Sequence, residues 1–243
     1  EYRWELIVVN DGSVDETGEL AEAFASTRSN VRVLHHIINF GLGQAFRSAF
    51  NASRADYLVT LDLDLSYTPD HIDTLLRKLR ATRAKVVVAS PYMKGGQISH
   101  VPPLRRFMSI WANRFLSRMA KGNLATLTGI VRAYDGKFIL SLDLRSTGME
   151  INPEVLYKAA LLHARIEEIP AHLDWGLQKA EKTGRRSSMR VLRHTFAVLI
   201  AGFLFRPVLF FIFPGLLLSL LALYADAWVL LHFGAEYQKL AQY

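Results

Sequence analysis

The chain has 243 residues, 51% hydrophobic and 21% charged, which suffices for one sizeable core and leaves an apolar surplus. Its 29 Lys and Arg against 22 Asp and Glu give a net charge of +7, pointing to a polyanionic partner: nucleic acid, nucleotide phosphate or an anionic membrane surface. With no cysteine, a disulfide framework and a thiolate metal site are both excluded, and a reducing compartment is allowed.

The sequence opens at Glu1 with no leader segment, so it reads as a fragment. ELIVVNDGS (5–13) predicts a strand, DETGELAEAFAS (15–26) a short helix and VRVLHH (31–36) a second strand. GQAFRSAFNAS (43–53) has a helical period, YLVTLDL (57–63) reads as a third strand, PDHIDTLLRKLRA (69–81) as a helix and AKVVVAS (84–90) as a fourth strand. In the third helix Thr68 is the expected cap and Pro69 the first helical residue, with Ile72, Leu75, Leu76 and Leu79 as the buried stripe. Strands this continuously apolar, alternating with helices, predict an α/β fold: a mostly parallel sheet flanked by helices on both faces, with ligands beyond the carboxyl ends of the strands.

Three motifs fall at those ends. If the third strand stays extended, Asp62 and Asp64 share one face while Leu61, Leu63 and Leu65 take the other. Two carboxylates held together repel unless a cation intervenes, and oxygen-only ligands suit Mg²⁺ or Mn²⁺. A bare D-x-D is ordinarily a turn cap beside a solvated acid; at a strand end before a helix the metal reading is favoured. Asp11, Gly12 and Ser13 bring a second carboxylate and a permissive backbone, suited either to a nucleobase or ribose hydroxyl or to plain turn chemistry. Asn39, Gly41 and Gly43 make a side-chain-poor helix entry that matches neither the Rossmann nor the Walker pattern.

In this order the motifs resemble family-two glycosyltransferases of the GT-A fold, in the polyprenyl- and dolichol-phosphate sugar synthase branch. Asn10 to Thr17 stands for D-D-G-S-x-D-x-T, Asn39-Phe40-Gly41 with Ala45 for N-x-G-x-x-x-A, and Asp62 to Ser66 with Pro69-Asp70 for D-A-D-L-Q/S-x-P-E. The likeness continues through VVASPYMKGG, TGIVRAY and the segment GMEINPEVLYKAALLHARIEEIPAHLDW, so it covers nearly the whole chain. It implies that Asp11, Gly12 and Ser13, with Asp62, Leu63, Asp64 and Arg186, hold a UDP- or GDP-linked sugar. It also implies that Asp62, Asp64 and Ser66 hold Mg²⁺ or Mn²⁺. The attacking group would be the acceptor's own phosphate oxygen, leaving electrostatic work for Arg105, Ser109 and Arg132. VPPLRRFMSIWANRFLSRMAKG (101–122) reads as a helix, in which Arg105 and Ser109 match the family's acceptor-phosphate spacing; solvated arginines on an amphipathic helix are the alternative. This sequence departs from the family pattern at Pro91, where an arginine is common, at Thr126, where an aspartate is common, and in lacking the P-x-Y-N-E opening strand.

The last third changes character. A cationic segment containing Lys179, Lys182, Arg185, Arg186, Arg190, Arg193 and Arg206 precedes an apolar stretch from Val208 to Ala225, broken by Pro214 and Ser219. At 1.5 Å per residue that stretch approaches the roughly 30 Å hydrocarbon core. Cations on its N-terminal side place the enzymatic domain in the cytoplasm, at the inner membrane or its equivalent, and explain the charge without nucleic acid. The expected organisation is a catalytic domain over 1–178, a basic juxtamembrane segment over 179–206, a transmembrane segment over 207–233 and a tail over 234–243. The expected function is transfer of a sugar from a nucleotide donor to a polyprenyl phosphate at the cytoplasmic face, by a monomer or a homo-oligomer. A same-fold transferase with another membrane or glycan acceptor and a non-catalytic nucleotide-sugar-binding membrane protein are the alternatives; absence of Q-x-x-R-W argues against a processive synthase.

Overall fold

The computed structural model describes residues 2–119, 124–176 and 207–240, and the chain divides into two units, Glu1–Gly202 and Phe203–Tyr243. In the first, β1 (Leu6–Asp11) and β2 (Val31–His36) flank α1 (Thr17–Ser26), α2 (Leu42–Ala52) leads to β3 (Tyr57–Thr60), and α3 (His71–Thr82) leads to β4 (Val86–Ser90). The unit continues through β5 (Gln97–Ser99), α4 (Pro103–Met119), β6 (Arg132–Asp135), α5 (Gly136–Ser141), α6 (Ile151–Leu161), β7 (Ile166–Pro170) and β8 (His172–Asp174). The predicted strand–helix alternation is present from β1 to β4.

The ladders are mixed. β1 pairs with β2, β4 with β7 and β5 with β8 in parallel, whereas β6 lies between β3 and β4 in the order β3-β6-β4-β7 and runs against both. The period of two along β4 shows how this sheet is held. Val86 and Val88 join Phe50, Tyr134, Ile139, Ile151 and Val155 in one cluster, while Val87 and Ala89 join Leu75, Leu79, Val131, Ala133 and Ile169 in another. The sheet is therefore covered on both faces, by α5 and α6 on one side and α3 on the other. All five β4 residues are buried, and each fully buried Val contributes roughly 1.5–3 kcal/mol relative to exposure.

α3 carries the expected stripe, with Leu75 and Leu79 buried and Ile72 and Leu76 half-buried. Its start differs from expectation. Asp70 occupies the cap position, and the Thr68 hydroxyl lies 3.2 Å from Nδ1 of His71 instead of capping a helix amide. The residues from Thr68 to Asp70 form a turn closed by amides of His71 and Ile72 on the carbonyls of Thr68 and Pro69, so the helix proper begins after the proline. The second unit holds α7 (Pro207–Leu240), in which Pro214–Phe233 is long and apolar enough to cross a membrane and exposed along its whole length. Pro207 opens this helix, where a missing N–H costs nothing.

Candidate active site

The β1 edge is a clasp. The Asn10 side chain accepts the Ser13 amide at 3.0 Å and meets Nδ1 of His35 at 3.1 Å. Oδ1 of Asp11 takes Nδ1 of His36 at 2.7 Å and the Phe40 amide at 3.0 Å, and Oδ2 takes the Gly41 amide at 2.8 Å. Partial burial acts to raise the Asp11 pKa, but the bonds from His36 and the two amides prevail and hold it below the ordinary carboxylate range. Of about four lone-pair sites on a carboxylate, three are occupied, so Asp11 shapes the loop at Asn39–Gly41 and retains room for one further donor. Gly12 has φ 69°, and a Cβ there would lie 2.3 Å from the carbonyl carbon of Ile38. Only glycine closes this contact. Ser13 is exposed beside it.

The β3 edge is built differently. The strand ends at Thr60, because its partner β6 begins at Arg132, opposite Thr60, and no ladder remains beyond. Asp62 and Asp64 thus sit in a turn, not on a strand face. Leu61, Leu63 and Leu65, expected together on the opposite strand face, lie beyond the ladder too: all three are exposed, Leu63 to 78%, and Leu65 takes φ 53°. The turn still draws the two acids together. The Asp62 pKa is pushed up to about 6, first by burial and then by the charge of Asp64. Oδ1 of Asp64 accepts the Ser66 amide at 2.9 Å, and Ser66 is buried. Among the described residues no group of three His, Cys, Asp or Glu side chains is placed to hold a metal, and the ion pairs there leave Asp62 without a cation. Two carboxylates brought together in a turn offer oxygen-only ligands, which suit a hard divalent cation.

Opposite in charge is α4. Arg105 and Ser109 lie one turn apart, the Ser109 hydroxyl is 2.6 Å from the Tyr92 hydroxyl, and the Arg105 guanidinium stacks 4.2 Å from the ring centre of Trp175. Trp175 is placed by the β5–β8 ladder, through its amide on the Ser99 carbonyl. Two tyrosines connect the banks. Burial, then Tyr92, Asp62 and Asp64, push the Tyr67 hydroxyl up and keep it neutral; burial likewise raises Tyr92, against the pull of Ser109, Arg106 and Arg105. Tyr92 and Trp175 were not among the residues singled out from the sequence. Tyr92 follows β4 at the carboxyl edge, which is a usable signal; Trp175 has none, since its place depends on a ladder between segments more than 70 residues apart.

Arg132 is a correction. It is fully buried, donating to the Asn152 carbonyl at 2.7 Å and the Leu127 carbonyl at 2.6 Å, with Tyr134 beside it. Its guanidinium is a strut of the core. Arg186, together with Arg185, Arg190 and the rest of the basic segment 179–206, lies outside the described residues.

An acidic pair after β3, an aspartate-clasped glycine turn after β1 and an arginine-bearing α4 are a set of groups suited to a phosphate-bearing ligand. The sequence matches the glycosyl transferase family 2 profile over residues 1–140. It is 32% identical over 173 residues to the undecaprenyl-phosphate mannosyltransferase of Micrococcus luteus, covering 68% of this chain and 70% of that one. It is 28% identical over 194 residues to the polyprenol monophosphomannose synthase of Mycolicibacterium smegmatis, covering 76% and 73%. The fold is similar to that of glucosyl-3-phosphoglycerate synthase from Mycobacterium tuberculosis in complex with UDP, with TM-score 0.59 at 19% identity, over 83% of this chain and 68% of that one. The chain belongs to glycosyl transferase family 2, with the GT-A-like α/β fold.

Proposed function

We propose that this protein transfers a sugar from a UDP- or GDP-linked donor to a polyprenyl phosphate at the cytoplasmic face of a membrane. The observation that carries the reading is the Asp62–Asp64 pair, in which Asp62 is pushed up to about 6 by burial and then by the charge of Asp64, together with α4, which offers Arg105 and Ser109. The relatives named for undecaprenyl phosphate and polyprenol acceptors support the choice of lipid, and a solved complex of the mycobacterial synthase with Mn²⁺ and UDP-glucose supports the metal.

In this reading Asp62 and Asp64 hold Mg²⁺ or Mn²⁺, and Ser66 acts through the amide bond that orients Asp64. When bound, such an ion offsets the charge on the departing diphosphate. Asp11, Gly12 and Ser13 form the base and ribose side, Asp11 with its one remaining acceptor position, and Leu63 presents its backbone in the turn between the acids. An acceptor phosphate oxygen forms the new bond to the anomeric carbon as the bond to the diphosphate breaks and its electron pair leaves with the nucleoside diphosphate. No proton has to be removed from the nucleophile, so the protein needs no strong base. Arg105 and Ser109 orient the phosphate, with Trp175 holding the guanidinium in place. Arg186 is assigned to the donor by its position in the sequence alone. α7 anchors the chain, and the cations before it set the orientation.

The test uses membranes containing the protein, Mn²⁺ and a labelled nucleotide sugar. Label is expected in an organic-extractable lipid phosphate, and Asp64→Ala lowers its rate by at least about a hundredfold. Equal labelling by the Asp64→Ala membranes overturns the assignment.

A further inference from the structure

β2 ends in two histidines that part ways. His35 is exposed and turns to Glu22 of α1 at 2.9 Å, whereas the His36 side chain, 10% exposed, turns toward α2 and stands in register with Asp11 at the end of β1. The His36 ring is held at both nitrogens. Nδ1 lies 2.7 Å from Oδ1 of Asp11, and Nε2 lies 2.9 Å from the Ser48 hydroxyl on α2, which Gln44, one turn earlier, reaches at 3.4 Å. The Phe40 ring meets the imidazole edge-on at 5.4 Å. An ionised carboxylate only accepts, so a proton stands on Nδ1, and in the neutral ring Nε2 takes the proton of the Ser48 hydroxyl. Ser48 thereby selects the tautomer that serves Asp11.

Ser48 belongs to the helix whose entry supplies the other two donors to Asp11, the amides of Phe40 and Gly41. One continuous piece of chain, from Phe40 to Ser48, therefore grips both carboxylate oxygens, directly through two amides and indirectly through His36. The order Ser–His–Asp is that of a hydrolytic triad. Here, however, Asp11 is the member at the carboxyl edge of the sheet and keeps an acceptor position open, so the relay ends in a carboxylate and not in a nucleophilic hydroxyl. Resting on the assignment of Asp11 to the donor above, we propose that His36 and Ser48 are positioning residues that hold the Asp11 carboxylate at the angle at which an N–H or O–H of the nucleoside meets it. A carboxylate oriented in advance adds its full bond to the nucleoside, because the cost of ordering it is met during folding. His36 and Ser48 lie outside the motifs that carry the family resemblance.

The experiment measures, by calorimetry on the full chain in detergent micelles with Mn²⁺, the affinities of UDP, GDP and inorganic pyrophosphate for the native protein, His36→Leu, His36→Asn and Ser48→Ala. The nucleoside diphosphate that the native protein binds better is expected to lose about tenfold to a hundredfold with His36→Leu, the range for a bond to a charged group, and about threefold to tenfold with Ser48→Ala. His36→Asn, whose amide N–H can stand where Nδ1–H stood, should recover most of the loss. Pyrophosphate has no nucleoside and should bind native and variant proteins alike, which a general loosening of the fold would not allow. Where His36→Leu lacks a cooperative melting transition, Ser48→Ala decides by the same comparison. Native affinity for the nucleoside diphosphate in the folded variants, an equal loss for pyrophosphate, or no recovery in His36→Asn overturns the positioning role. Labelled-sugar transfer in the same preparations separates the two ideas: transfer by His36→Leu at native donor KM sinks the relay alone, whereas His36-dependent nucleotide binding with no transfer from any donor sinks the transfer reading alone.

Discussion

Two strand ends carry aspartates, and their chemistry is opposite. At the β1 edge Asp11 is gripped by His36 and two backbone amides and ionises more readily than a free carboxyl. At the β3 edge Asp62 is half-buried beside Asp64, has no cation paired with it among the described residues, and ionises reluctantly. The Asp11 carboxylate is largely engaged by the fold, stiffening the loop at Asn39–Gly41 with one acceptor position left; Asp62 is held in a buried place beside a like charge, which a cation would relieve. Similar letters at similar topological positions therefore divide between architecture and binding according to how many donors surround them.

The largest effect is expected beneath the β3 edge. Arg132 is the first residue of the strand that β3 pairs with, and Arg132→Ala strands the Asn152 and Leu127 carbonyls in the core. A loss of roughly 3–5 kcal/mol in unfolding free energy is expected from denaturant titration. Arg132→Lys losing transfer while keeping native stability would show instead that the guanidinium serves the acceptor.

Next comes Asp62→Asn. Its folded pKa of about 6 lies above the model-compound 3.8, so between these values the folded protein retains a proton that the unfolded chain has released. Stability falls as pH rises through that window, and the cost, about 3 kcal/mol, is complete above pH 6. Asp62→Asn should raise the metal-free unfolding free energy by about that amount at pH 7.5, leave it unchanged at pH 3, and abolish transfer. For the native protein, Mn²⁺ affinity should drop as pH falls below 6, because the ion competes with that proton. No pH-dependent gain from Asp62→Asn would break the contrast between the two edges.

At the β1 edge the sign reverses. Asp11→Ala leaves the Phe40 and Gly41 amides without their acceptor and should cost roughly 1–3 kcal/mol, read by thermal melting, with a raised donor KM as the loop loosens. A gain in stability would place Asp11 in the same class as Asp62. Smallest is a control outside both edges: Arg145→Ala removes an exposed ion pair with Asp143, and no measurable change in melting is expected.

Much of this was legible from the residues. β2 falls on 31–36 as predicted, the α3 stripe is buried as its period requires, and the motifs gave the family that the comparisons show. What local pattern could not give is where β3 stops. YLVTLDL alternates well enough to continue to Leu63, and the strand ends at Thr60 only because a partner 70 residues away begins at Arg132. The acids consequently sit in a turn, with three leucines exposed, yet Asp64 remains near enough for its charge to act on Asp62. The burial of Arg132 was hidden as well: an arginine in TGIVR carries no local sign that the carbonyls of Leu127 in the preceding loop and Asn152 in α6 will receive it. β5 and β8, three residues each, are too short to leave a periodic trace.

That small ladder has a mechanical side. Gln97–Ser99 and His172–Asp174 are joined by only three register pairs, with a further clip between His100 and Asp174 at 2.6 Å, and the next residue is the tryptophan that shelves Arg105. The seat of one guanidinium on α4 thus depends on a zipper of three pairs and one clip, so whatever loosens that zipper also loosens the aim of Arg105.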